Sequence, residues 1–165
     1  MKTYPERELI SWPDAKMPVS TGKTILQNVN AIAGKLKALN IQKGDEVLIA
    51  VPVGPDLIGG ILATMAVGAI PVLPPAGITF TGFYQMVKAR KIKYILLERV
   101  SVLIRILGLT HNIKIISTQI TANTTFEIKP EDVNPDQAAL ISHSSGSTRK
   151  IESHLPQPPS VACPA

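Results

Sequence analysis

Residues 141–150 read Ile-Ser-His-Ser-Ser-Gly-Ser-Thr-Arg-Lys, a stretch whose residue types suit one chemistry, the holding of phosphate oxygens. Gly146 lets the backbone turn closely, Ser144, Ser145, Ser147 and Thr148 offer hydroxyls, and Arg149 and Lys150 bring positive charge. Taken alone, the stretch reads equally well as a polar turn. A second phosphate-loop mimic, Ser20-Thr21-Gly22-Lys23-Thr24, fails on spacing, because the full pattern needs glycine where Met17 stands. It reads as the turn that starts a helix. His111, His143 and His154 have no His, Cys or carboxylate at metal-ligand spacing and read as polar loop residues. His143 adjoins the 144–148 loop and is a candidate nucleotide contact in a complete enzyme. The lone Cys163 excludes an internal disulfide framework and a cysteine zinc site.

The elements that must position the loop follow from pattern. A chain of 165 residues fits one domain with a real core, and 45% hydrophobic against 18% charged residues describes a globular protein. Aromatics make up only 4%, so the core is expected to be aliphatic. Ile25, Val29, Ile32, Leu36 and Leu39 recur at helical spacing from Thr24 on. A Lys43-Gly44-Asp45 turn leads to a strand at 46–51, a helix from Pro55 to Val67 and a strand at 70–73. Gly59-Gly60 weakens that helix but permits close packing on a sheet, and Pro71 places the start or an irregular edge of its strand there. Helix 79–91, strand 93–97, helix 99–107 and strand 112–117 continue the alternation. Residues 121–128 read as extended, 129–137 as a polar connector, and 138–142 as a last strand delivering the loop. This alternation predicts an α/β fold of three layers, a mostly parallel sheet with flanking helices. Residues 1–20 read as an irregular leader, 21–150 as the folded domain, and 151–165 as a proline-rich disordered tail.

Several classes are excluded. The net charge of +5 is spread out, and its densest group, Lys88, Arg90, Lys91 and Lys93, lacks aromatic stacking partners, so no nucleic-acid partner is expected. The uncharged run from Leu57 to Val87 is divided by glycines and prolines, which predicts a buried helix–strand pair and no membrane span. The N-terminus carries charges and no apolar core, so a cytoplasmic setting is the expectation.

The loop and its upstream context resemble the adenylate-forming (AMP-binding) superfamily, nearest to acyl-CoA synthetases of the AMP-dependent synthetase/ligase kind. There the loop reads Ser/Thr-Ser-Gly-Ser/Thr-Thr-Gly-x-Pro-Lys, against Ser144-Ser145-Gly146-Ser147-Thr148 in this chain. Leu36–Val47 is similar to the family's helix, Lys-Gly-Asp turn and strand, and Val51–Leu57 to its strand end and helix start. Ala66–Leu73 resembles the Gly-Ala-Val-x-Val-Pro segment, and Ala138–Ile141 precedes the loop in the expected order. The resemblance implies the N-terminal subdomain of such an enzyme, with fatty acid metabolism as the setting. It implies ATP and Mg²⁺ as cofactors, and a carboxylic acid and CoA as partners. Ser144, Ser145, Gly146, Ser147, Thr148 and Lys150 would hold the ATP phosphates, and no catalytic residue or metal ligand is assigned. Arg149 stands where the family has Gly, and Lys150 fills the variable position or stands for the motif's Lys after a deletion. Without a gap, Ile151 and Glu152 replace Pro and Lys. The broken motif and the alien tail predict a truncated ligase, inactive alone. The alternative is a non-enzymatic interaction module or split-enzyme subunit, meeting a complementing chain or a second copy through exposed apolar surface.

Overall fold

The computed structural model describes residues 6–12, 19–99, 112–120 and 127–143. Five strands, β3 (Glu46–Ala50), β4 (Ile70–Leu73), β5 (Tyr94–Leu97), β6 (Lys114–Ser117) and β7 (Ile141–Ser142), form one sheet in the order β6-β5-β3-β4-β7. Every neighbouring pair in it is parallel. Helices α1 (Gly22–Ala38) and α2 (Pro55–Ala66) cover one face, and α3 (Phe80–Ala89) the other. The predicted three-layer α/β architecture is therefore the one observed.

The strands are sorted by the two-residue period of the pleat. Val47, Ile49, Tyr94, Leu96 and Ile116 point to α1 and α2, where they join Val29, Ile32, Leu36 and Ala63. Leu48, Val72 and Ile95 point to the opposite face and pack on Met86 and Val87 of α3. Burial on both faces explains why these strands read as continuous apolar runs. The glycine pair of α2 divides its labour. A Cβ on Gly60 would stand 2.6 Å from Leu96 Cδ2 in the sheet, whereas one on Gly59 would stand 3.0 Å from Asn28 Cβ in α1. One glycine admits the sheet and the other admits the neighbouring helix.

The end signals behave as their chemistry dictates. Thr21 caps α1: its side chain accepts from the Thr24 backbone N–H at 3.3 Å, and the Thr21 N–H donates to Thr24 Oγ1 at 2.9 Å. The Ser20–Thr24 stretch is thus a helix start. Gly68, at φ +80°, closes the turn after α2, and its carbonyl accepts from the Gly44 N–H at 2.9 Å. Pro71 sits one residue inside an interior strand at no cost in ladder bonds. The Ile70 N–H points to β3, donating to Asp45 O at 2.8 Å, so position 71 faces β7, whose pairing begins only at Val72.

The leader differs from expectation. β1 (Glu8–Ser11) and β2 (Val19–Thr21) pair antiparallel, with a register shift between Glu8 and Ile10. Strands of three and four residues with a shifted register leave no readable period. The last strand is also shorter than its predicted span of 138–142. The chain first makes a turn, with the Gln137 N–H on Asn134 O at 2.9 Å, and joins the sheet only at Ile141. The polar connector is a strap across the opposite edge of the sheet. There the Glu131 N–H donates to Ala66 O at 2.9 Å, Gln137 Nε2 donates to Gly68 O at 3.0 Å, and the Glu131 carboxylate pairs with both Lys37 and Lys43. The predicted helix at 99–107, residues 121–126 and the tail at 151–165 lie outside the described residues, apart from Arg99. Among the described residues no helix is long and apolar enough to cross a membrane.

Candidate functional site

Because the five strands are parallel, their C-terminal ends share one edge, the edge at which open α/β sheets bind ligands. Two places on it hold convergent polar groups.

The first is the end of β7. Val72 pairs with Ile141 and Leu73 with Ser142, which carries His143 to the end of β4. There His143 Nδ1 lies 2.9 Å from Leu73 O. A carbonyl only accepts, so Nδ1 carries the proton, and in the neutral ring Nε2 is left as an acceptor. That Nε2 is buried and has no hydrogen-bond partner among the described residues. It suits a hydroxyl or backbone N–H donor in the neutral ring, and a phosphate oxygen only in the imidazolium form. Ser144, Ser145, Gly146, Ser147, Thr148, Arg149 and Lys150 lie outside the described residues, as do His111, His154 and Cys163. The structure thus brings His143, the residue before the phosphate-loop candidate, to the C-terminal edge of the sheet. Among the described residues no group of three or more His, Cys, Asp or Glu side chains is arranged to hold a metal.

The second place was not foreseen. The chain leaves β3 through α2 toward β4, and β5 is followed by β6 on the other side, so the direction of winding reverses between β3 and β5. A crevice at such a reversal is where doubly wound sheets take ligands. A cleft of about 670 Å³ opens here, walled by the start of α1, residues 51–56 after β3, Glu98 and Arg99 after β5, and Thr118 and Ile120 after β6. At its floor the Asp56 carboxylate accepts from Thr118 Oγ1 at 2.8 Å on one oxygen and from Asn28 Nδ2 at 3.5 Å on the other. Asp56 lies in the first turn of α2. The Lys35 ammonium donates to the carbonyls of Ser117, at 2.8 Å, and of Gln119. Burial lowers the Lys35 pKa below the usual lysine value, with Asp56 opposing. The only sequence signal for this cleft was the Pro55-Asp56 helix start. Its partners stand 28 and 62 positions away, and only the strand order brings them together.

The AMP-binding enzyme family matches residues 2–150 of the chain. No curated protein matches it. Among solved structures, O-succinylbenzoate coenzyme A synthetase (MenE) from Bacillus subtilis in complex with AMP superposes with a TM-score of 0.71 at 18% identity. That match covers 90% of this chain and 38% of MenE. The N-terminal subdomain of NpsA from Klebsiella oxytoca, in complex with anthranilyl-AMSN, gives a TM-score of 0.63 at 21% identity, over 91% of this chain and 37% of that one. MenE in complex with ATP and magnesium ion gives 0.67 at 17% identity, over 86% of this chain and 37% of that one. These identities carry the fold, and the chain spans less than two fifths of the length of each of these three structures.

Proposed function

The chain belongs to the AMP-binding enzyme family, and from that premise we propose that it is the ATP-phosphate-holding N-terminal part of an adenylate-forming ligase. The observation that supports the reading is the position of His143, which directly precedes Ser144–Thr148 in the sequence, at the C-terminal edge of the sheet beside β4. MenE in complex with AMP, with ATP and magnesium ion, and with the product analogue OSB-NCoA supports ATP, Mg²⁺, a carboxylic acid and CoA as the ligands of the complete protein. ATP, when bound, would supply an activated α-phosphorus, at which a carboxylate displaces pyrophosphate to give an acyl-adenylate. The part of this chain is electrostatic and positional: hydroxyls and N–H groups of 144–148, with Lys150, hold phosphate charge that would otherwise repel the incoming carboxylate. The His143 Nε2 lone pair is free to accept from one of these donors and so to steady the loop. An acyl-CoA synthetase type and a fatty acid substrate are the finer form of the same proposal. Residues 21–150 form the functional unit in this reading, with 1–20 and 151–165 outside it.

Arg149 decides how much of that capacity remains. If its position needs positive φ, a side chain there costs about 1 kcal/mol or more and narrows the phosphate cradle. Calorimetry with Mg-ATP on the wild type and on Arg149→Gly tests the reading. Weak binding that strengthens in Arg149→Gly is the expected result, with no carboxylate-dependent pyrophosphate exchange by the chain alone. Absence of binding in both proteins would remove the proposed role. Leu62 and Met65, three residues apart on α2, are 42% and 39% exposed, which favours a second reading as a subunit that meets another chain. A monomer in sedimentation that captures no partner would count against it.

A further inference from the structure

The cleft at the ends of β3, β5 and β6 is separated from the loop after β7 by at least one intervening strand, β4, and the proposed phosphate chemistry does not use it. We propose that this cleft is a separate small-molecule site, which takes a compact apolar body bearing a primary ammonium group, with Asp56 as its anchor.

Size and lining fit a small ligand. Its volume, about 670 Å³, lies within the range of small-molecule pockets, and its walls are mainly apolar, with Ile25, Val51, Val53 and Ile120 among them. The polar groups converge on one spot rather than being scattered. Among the described residues each Asp56 oxygen accepts one side-chain hydrogen bond, and a carboxylate oxygen has room for a second. The groups that hold it cannot easily swing away: Thr118 is buried, and the Asn28 amide is tied by its donation to Asp56. A carboxylate already aligned in the free protein costs a ligand little ordering entropy.

Charge then selects among ligands. The lining holds two carboxylates, Asp56 and Glu98, and one cation, Arg99. The Arg99 side chain is 77% exposed and leans to Glu98, with Nε 3.9 Å from Oε1. An anion entering the cleft would meet one mobile guanidinium already near a carboxylate, and would face Asp56. Lys35 does not supply the missing cation, because its ammonium is turned to the carbonyls of Ser117 and Gln119. A primary ammonium finds in Asp56 its counter-ion.

The probes are phenethylamine, its neutral isostere 2-phenylethanol, and phenylacetate, each titrated into the full chain by calorimetry. Phenethylamine is expected to bind about tenfold or more tighter than 2-phenylethanol, a difference of one charge-assisted contact, with phenylacetate weakest. Asp56→Asn is expected to remove about tenfold of the phenethylamine affinity. Val53→Arg, at a position 85% exposed and free of core contacts, tests the same charge preference without touching the fold, and it too should weaken the amine. Equal binding of the alcohol, preference for phenylacetate, or an amine affinity unmoved by Val53→Arg would each overturn the proposal. Mg-ATP binding should be unchanged in Val53→Arg, so the failure of this site and that of the phosphate loop are read separately.

Discussion

Replacing Gly60 with alanine sets two magnitudes against each other. Alanine exceeds glycine in helix propensity by about 0.8–1.0 kcal/mol, so the exchange would stabilise α2 if nothing lay above it. Something does: the new Cβ would fall 2.6 Å from Leu96 Cδ2 and 3.5 Å from Ile49 Cγ2. Carbon atoms rest about 3.5–4.0 Å apart, so Leu96 would have to withdraw by roughly 1 Å. Leu96 is fully buried beneath α2, so its side chain must rearrange within the core. Forcing a methyl into a well-packed core costs about 1–3 kcal/mol, which leaves a net loss of about 1 kcal/mol after the propensity gain. Gly59→Ala is the internal control. It gains the same propensity, and its Cβ would meet Asn28 Cβ of the half-buried α1 at 3.0 Å, a smaller overlap that a shift of a few tenths of an ångström relieves. Equilibrium urea denaturation followed by far-UV circular dichroism should place the Gly60→Ala midpoint below that of wild type by about 0.5 M, for a slope of about 2 kcal/mol/M. Gly59→Ala should fall between the two or match wild type. A Gly60→Ala protein as stable as Gly59→Ala, or more stable, would refute the account of why the helix lies so close to the sheet.

Two further outcomes follow from contacts already described. Thr21→Ala removes the acceptor for the Thr24 N–H at the start of α1 and should cost about 1 kcal/mol in the same denaturation experiment, while Thr21→Ser should retain most of the stability. Hydrogen bonds from Lys37 and Lys43 hold the Glu131 carboxyl below the usual carboxylate range. The carboxylate is favoured more in the folded than in the unfolded chain, so its contribution is present above the ordinary glutamate pKa and is lost as pH falls through the lower folded value. A Glu131 titration midpoint by NMR at or above the ordinary value would contradict the pairing, and Glu131→Gln should flatten the acid limb of the stability profile.

The parts of the fold that could be read in advance are those in which a local pattern and the tertiary environment ask for the same residues. The apolar stripe Ile25, Val29, Ile32, Leu36 and Leu39 marks the buried side of α1, and the run at 46–51 marks a strand buried on both faces. Asn40, just past the end of α1, adopts φ 55°, one of the few non-glycine residues of the described chain in the left-handed region. What escaped has no local signature. β1 and β2 are too short and shifted to show a period. The strap at 127–137 depends on carbonyls and lysines about 60 to 90 residues upstream, so its polarity looked like that of a loose connector. The Asp56–Thr118 contact spans 62 positions and exists only because β6 lies outside β5. The candidate site divides in the same way. The chemistry of 144–148 could be named from residue types, whereas the cleft at the winding reversal required the strand order.

The two-residue length of β7 has a consequence for how loss of function would present itself. The segment that carries the candidate phosphate loop is joined to the sheet by two register pairs, Val72 with Ile141 and Leu73 with Ser142, and by the His143 contact to Leu73. The core on the α1–α2 face closes without it, and on the α3 face the segment contributes one buried side chain, Ile141. Edge segments of this kind open at far lower free energy than the global transition. A substitution at Ser142 or His143, outside the apolar core, can therefore loosen the segment while calorimetric melting, secondary structure and solubility stay those of the intact protein. Quality control acting on global unfolding would pass such a molecule, and only a ligand would reveal that it had been disarmed.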